Sequence, residues 1–449
     1  MEIDLSQTPE TLLWFVLAIA ALVKASEHVR TLRLPGVASI TSKSFRTFQI
    51  EYLSVYLLSS FSDWLQGPYV YDLYEAYGFT PNTIKLQFAV SFGASMMLGP
   101  KLGALADKYG RKRFVLLYAV FYGICALLHH FNSIVVLTLA RILGGASASL
   151  LYTVFDSWMC HEHRRRKFDD SLLQSTYSLQ AFFNSLVAIV AGLAAQKGVD
   201  ALPMKQMGEI VHFAGSLVPF EMAIVALAIA FLVAQVRWPA DKSVLASGDS
   251  THTTPNVLRT LKENKSLLFV GAIESLFESS LFLFAFSWAP AMKEAGESAV
   301  NYGTVFAVLM AGCMLGSQVF GLMSRVGLNG LTLALPLALL SHGIVAFGPG
   351  SRHARLIAFV LFEVAVGIYF PSMGVMKSVA VPETLRTTLY SINRVPINAI
   401  VLTCLTLGLS TSQTFTWTTT ILSVASVSYI MLQRWPQTTK MSGSRSPIE

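Results

Sequence analysis

The sequence predicts an all-α integral membrane protein: two six-helix bundles with pseudo-two-fold symmetry plus a short extra N-terminal helix. Three observations lead there. Of 449 residues, 53% are apolar and only 13% are Asp, Glu, Lys or Arg, about half the charged share of a soluble domain. That excludes an ordinary soluble enzyme, and the mean hydropathy of +0.54 agrees. The apolar residues gather into runs of about the 20 residues that cross a bilayer, ordered as one, six, a polar stretch and six again. The basic residues crowd alternate loops, the pattern that orients a polytopic chain.

The first run, Leu12 to Val23, is short and is followed by Lys24. Glu2 and Asp4 stand where a signal peptide would be basic, and no small-residue cleavage site follows, so the run is read as an uncleaved anchor. Residues 1–47 thus hold this segment and a basic linker. The N-terminal bundle, 48–236, holds spans at Phe48 to Tyr71, Ile84 to Ala106, Phe114 to Leu128, Ile134 to Trp158, Leu173 to Gln196 and Val218 to Val236. Gly67-Pro68 predicts a kink in the first of them. Residues 237–265 carry Asp, Ser, Thr, Gly and Pro without apolar period and read as a linker. The C-terminal bundle, 266–432, holds spans at Leu267 to Met292, Gly303 to Met323, Leu328 to Phe347, Leu356 to Val379, Leu389 to Leu409 and Phe415 to Leu432, and a tail closes the chain at 433–449.

Placing Asp107 to Arg113 in the cytoplasm leaves only Lys85, Lys197, Lys205, Lys293, Arg352 and Arg355 outside. Lys101, Arg141 and Arg394 fall within spans, and the other 24 of 33 basic residues, Lys377 among them, are cytoplasmic. The net charge of +7 is therefore an orientation signal rather than a nucleic-acid signal, and the C-terminus lies inside. No nucleic acid, cofactor or metal is expected. His129-His130 and His161-Glu-His163 lack a third ligand, the four cysteines are scattered, and neither a P-loop nor a nucleophile-base pair is visible. The sequon Asn264-Lys-Ser266 falls on the cytoplasmic side, where it would not be used.

The halves repeat. Arg141 and Gly145 in one fourth helix match Glu363 and Gly367 in the other, and Gly99 and Gly103 in one second helix match Gly316 and Gly321. A parallel repeat of six helices belongs to two-half transporter folds.

The most specific motif is Gly103-Ala-Leu-Ala-Asp107-Lys-Tyr-Gly110-Arg111-Lys-Arg113. Gly99 and Gly103 let helices approach, Asp107 suits the positive end of a neighbouring helix, and Gly110 allows a tight turn. The motif resembles the cytoplasmic signature loop of the major facilitator superfamily, with Lys108 in place of the usual Arg. Asp156 is expected to pair with Arg111 or Arg113, a latch that in the resembled superfamily holds the inner gate shut.

Charges within spans usually face a partner or a wet cavity. Asp63, Arg141, Glu278, Glu363 and Arg394 stand out, with Glu274 one turn before Glu278. The resembled fold lines its cavity with the first and fourth helices of each half. It therefore implies that Asp63, Arg141, Glu278 and Glu363 surround one water-filled site.

Three further stretches are similar to one branch of the superfamily, the molybdate-anion transporter family of algae, plants and animals. They are Ser62-Asp-Trp-Leu-Gln-Gly-Pro-Tyr-Val-Tyr71, Leu276-Phe-Glu-Ser279 with Trp288-Ala-Pro290, and Gly367-Ile-Tyr-Phe-Pro-Ser-Met373 with Pro382-Glu-Thr384. The resemblance implies a monomeric, alternating-access importer of molybdate in the plasma membrane. A dianionic oxyanion needs cationic and neutral donors, so Arg141 and Arg394 are candidate ligands, with Tyr69 and Tyr369 assisting. Asp63, Glu278 and Glu363 would repel the anion unless protonated, which makes them candidates for proton coupling. A sugar or organic-ion carrier and a non-transporting scaffold of the same fold remain alternatives.

Overall fold

The computed structural model describes residues 43–67, 69–208, 210–239, 259–261, 264–295 and 302–434. The N-terminal run at 12–23, most of the central linker and nearly all of the C-terminal tail lie outside them. In the first half, α1 (Lys43–Gln66) and α2 (Tyr69–Ala76) are followed by α3 (Pro81–Tyr109), α4 (Arg111–Leu128), α5 (Ile134–Leu151), α6 (Val154–Arg165), α7 (Leu173–Ala201) and α8 (Val218–Arg237). The second half holds α9 (Lys265–Glu294), α10 (Tyr302–Arg325), α11 (Leu331–Phe347), α12 (Arg352–Ala380), α13 (Arg386–Leu407) and α14 (Thr411–Arg434).

Eight segments among the described residues are long and apolar enough to cross a membrane by composition. The shortfall against twelve predicted spans is instructive. α11 is one residue short, α4 opens on Arg111-Lys-Arg113, and α1 and α13 are too polar. Yet the polar residues of those last two face inward: Gln49, Ser59, Ser62 and Gln66 of α1, and Arg386, Thr387, Arg394 and Asn398 of α13, are buried. Val135, Val236, Phe347 and Val379 are instead left largely exposed on the outside. Polar inside and apolar outside is the arrangement a lipid solvent demands.

Two spans are broken. α1 ends at Gln66 and α2 begins at Tyr69, so the break falls at the Gly67-Pro68 step. The fourth span breaks at Tyr152-Thr153 without proline or glycine. Thr153 Oγ1 donates to the Ser149 carbonyl (2.7 Å), and Thr153 leaves helical geometry at φ −126°, ψ −49°. A hydroxyl bonding back one turn bends a helix in this way.

Within each half, equivalent helices cross at equivalent glycines. A Cβ on Gly145 of α5 would strike the Ser91 carbonyl of α3, and a Cβ on Gly367 of α12 would strike the Cys313 carbonyl of α10. From half to half, 91 moves to 313 and 145 to 367, a shift of 222 residues in each case. Between halves, α3 packs along α13, and α7 packs along α10 and α12. A two-stranded hairpin (β1, Lys205–Met207; β2, Val211–Phe213), absent from the sequence prediction, caps one end of the first half, and His212 N–H donates to the His130 carbonyl (2.8 Å).

The first half is tied off firmly at its end. The rings of Trp158 and Trp238 stack at 3.6 Å. Trp238 Nε1 donates to the Glu51 carbonyl (2.9 Å), and Lys112 Nζ donates to the carbonyls of Gln235 (2.9 Å) and Trp238 (2.6 Å). The ammonium thus satisfies acceptors left open by the last turn of α8.

Candidate functional site

The break in the fourth span matters because it presents Tyr152, 39% exposed, toward the seam between the halves. The Arg394 guanidinium of α13 lies over its ring, 4.4 Å from the centroid. Arg394 is only 4% exposed, its Nη1 is 3.6 Å from Glu278 Oε2, and its Nε has no hydrogen-bond partner among the described residues. Tyr369 of α12 stacks on Phe277 (3.7 Å) and reaches Glu278 Oε1 with its hydroxyl (3.5 Å). Asp63 of α1 accepts from Tyr122 (2.7 Å) and lies within electrostatic range of Arg394 and Tyr152. One turn inward, Lys377 of α12 pairs with Glu274 (2.5 Å), whose other oxygen accepts from Asn393 Nδ2 (2.8 Å). Two cation-carboxylate pairs are thus stacked along α9.

Of the four residues expected around one site, Asp63 and Glu278 gather here and the other two do not. Arg141 lies eleven residues before Tyr152, about 16 Å along the helix. There it stacks on Phe88 (4.8 Å) and donates from Nε to the Gln87 carbonyl (3.4 Å). Glu363 is buried against Gly312 and Cys313 of α10, and no hydrogen bond or ion pair reaches it among the described residues. Tyr69 lies in α2 with its hydroxyl on Gln196 (3.1 Å), in a different cluster from Arg394. Tyr152 carried no charge to mark it in the sequence, and Lys377 had been counted as a cytoplasmic charge.

The ends of the halves that carry Asp107 and Arg111 are closed on one another. Asp107 sits at the N-terminus of α13, accepting from Thr387 N–H (3.3 Å), Thr388 N–H (2.8 Å) and Thr388 Oγ1 (2.9 Å). Arg111 bonds Asp107 (3.1 Å) and the Glu383 carbonyl (2.8 Å). Gly103 allows this approach, since a Cβ there would meet Ser391 Oγ and, at 2.7 Å, the Thr387 carbonyl. Gly110 turns the chain at φ 100°. The expected pairing of Asp156 with Arg111 or Arg113 does not occur. The broken span directs Asp156 to Tyr52 (3.2 Å) and Gln180 (3.0 Å), Asp107 already holds Arg111, and Arg113 is exposed. From α6, His161 Nδ1 instead meets Glu383 Oε1 (2.5 Å) across the halves, and Arg164 donates to the Ser378 carbonyl (2.6 Å). Burial acts to raise the Glu383 pKa, but the His161 hydrogen bond and the charges of His161, Arg386 and Arg111 outweigh it and hold the carboxyl below its usual value. Away from that end the halves meet through rings: Phe92 lies 5.9 Å from Phe282, and Trp64 5.9 Å from Phe306.

Comparison with known proteins places this architecture. Residues 14–362 match the model of a family described as sugar transporters with 12 transmembrane segments. A molybdate-anion transporter of Danio rerio is 30% identical over 402 residues, 82% of this chain and 81% of that protein. Its counterpart in Takifugu rubripes is 28% identical over 418 residues, 86% of this chain and 84% of that protein. A bacterial homologue of the iron transporter ferroportin, solved in an outward-facing state, superposes with a TM-score of 0.67 at 16% identity, covering 86% of this chain and all of that one. The chain is a multi-pass integral membrane protein of the major facilitator superfamily and belongs to its molybdate-anion transporter family.

Proposed function

We propose that this chain is an alternating-access transporter that imports a tetrahedral dianion of the molybdate class, and that Arg394 is its principal ligand. The observation that carries this is the state of Arg394. Its guanidinium is buried at the seam between the halves, laid over the exposed Tyr152, with Nε unpartnered and Glu278 at the edge of ion-pair range. A guanidinium offers a fork of donors to an oxyanion, and Tyr152 and Tyr369 supply neutral hydroxyls nearby. The names of the fish relatives support the substrate class.

Glu278 and Asp63 set the coupling. Each would repel a dianion while ionised, so a proton on Glu278 frees Arg394 for the substrate. Rocking of the bundles 48–236 and 266–432 about α3–α13 and α7–α10 then exposes the site to either side. We place the protein in the plasma membrane with its C-terminus in the cytoplasm, working as a monomer.

In proteoliposomes holding the full chain, labelled molybdate should accumulate, faster with an inward proton gradient. Arg394→Gln should cut uptake about 10- to 100-fold, the value of a charged hydrogen bond, and Glu278→Gln should remove the response to the gradient. Uptake unchanged by Arg394→Gln would overturn the assignment. Inhibition by a sugar or an organic ion, with none by sulfate, would point to another solute.

A further inference from the structure

Arg386 opens α13 and is completely buried, yet no carboxylate lies within ion-pair distance of it among the described residues. Its Nη2 makes two long bonds, each 3.4 Å, to the carbonyls of Ser378 and Val381. Its Nε and Nη1 have no partner, and the Tyr390 hydroxyl, one turn on and 1% exposed, has none either. A buried guanidinium without a counter-ion is costly, and its surroundings sharpen the problem. Arg164, from the opposite half, donates to the same Ser378 carbonyl, so two cations meet at one acceptor. Glu383, an acid whose charge acts on Arg386, is engaged by His161.

Position gives the cluster its meaning. Arg386, Tyr390 and Arg394 recur every fourth residue and so lie along one face of α13, about 12 Å from first to last. Lys377 lies over the Tyr390 ring between them (4.4 Å). An anion leaving Arg394 toward the cytoplasm would follow this row, and it would reach Arg386 beneath the contacts that close the inner gate.

We propose that Arg386 and Tyr390, faced by Arg164, form a second oxyanion station on the cytoplasmic side, which takes the dianion from Arg394 as the gate opens. The station rests on the transport reading above. It supplies the counter-charge that Arg386 lacks, and a bridging dianion relieves the opposition of two guanidiniums. It also makes the two faces of the transporter unequal, because only the inner face presents Arg386.

The test uses the full chain in vesicles of known sidedness, with inorganic molybdate as probe. Arg386→Gln should raise the half-saturating concentration at the cytoplasmic face at least about tenfold and leave the outer face within about twofold. Tyr390→Phe, which removes a single unpartnered hydroxyl and keeps the packing, should raise the cytoplasmic value about threefold. Arg394→Gln should weaken both faces. If Arg386→Gln and Tyr390→Phe shift neither face, or both faces equally, the station is wrong while the transport reading stands. Absence of saturable molybdate flux in the wild type would sink the transport reading, and the station with it.

Discussion

Asp107 is a helix cap supplied from across the molecule. Its carboxylate accepts from the first turn of α13, where an anion meets both free N–H groups and the positive end of the helix dipole. Such a cap is worth about 0.5 to 2 kcal/mol, here applied to holding the two halves together at this end. Asp107→Asn should therefore open the inner gate more often. A Ser391→Cys probe, placed where α13 meets Gly103, should label severalfold faster from the cytoplasm in that background, and equal labelling would show the cap to be idle. Glu383 adds a pH term with a definite sign. Its pKa in the closed gate is held below the ordinary 4.5, so its contribution is complete above that value and is lost as pH falls through the depressed one. The labelling difference between wild type and Glu383→Gln should shrink as pH falls below the ordinary carboxylate range. A difference that vanished at neutral pH would contradict the assignment.

At the scale of elements, the glycine crossings explain why the two halves share a register. Gly145 and Gly367 each bring a helix against a backbone carbonyl of its neighbour, and a methyl group has no room there. Gly367→Ala should lower the midpoint of thermal unfolding in detergent by an amount corresponding to about 1 to 3 kcal/mol, the cost of overpacking. Gly123→Ala, in α4 with open space around it, should leave the midpoint level or slightly higher. These glycines were legible in the sequence because a repeat needs only spacing to be seen. The motif around Asp107 was legible for the same reason. The partners of Asp156 were not, because they depend on the bend at Thr153. A hydroxyl reaching back to a carbonyl leaves no composition signal, and it decides which way α6 and everything on it points. Lys377 was misjudged on similar grounds: near a span end, sequence distance does not say whether an ammonium snorkels outward or turns in to a carboxylate such as Glu274.

Across the whole molecule, closure is chemically asymmetric. The seam at the Asp107 end is held by directional contacts, Asp107 with the α13 N-terminus and His161 with Glu383, whereas at the opposite end aromatic rings meet. Ring contacts slide at little cost, and hydrogen bonds to charged groups do not. The order of helices followed from hydropathy, and the expectation of a site between the halves from the resembled fold. The layering within it did not, since Arg141 and Glu363 match in sequence yet face different neighbours.

The Trp158-Trp238 stack bears on how the chain can be cut. Because Trp238 is pinned to α1 by the Glu51 carbonyl and to α4 by Lys112, the first half is fastened shut before the connecting segment begins and should stay folded without a covalent bond to the second half. Two polypeptides divided near residue 250 should therefore recognise one another when co-expressed and restore uptake. Trp238→Ala should abolish that complementation while sparing the uncut chain, because only the severed half relies on its own clasp.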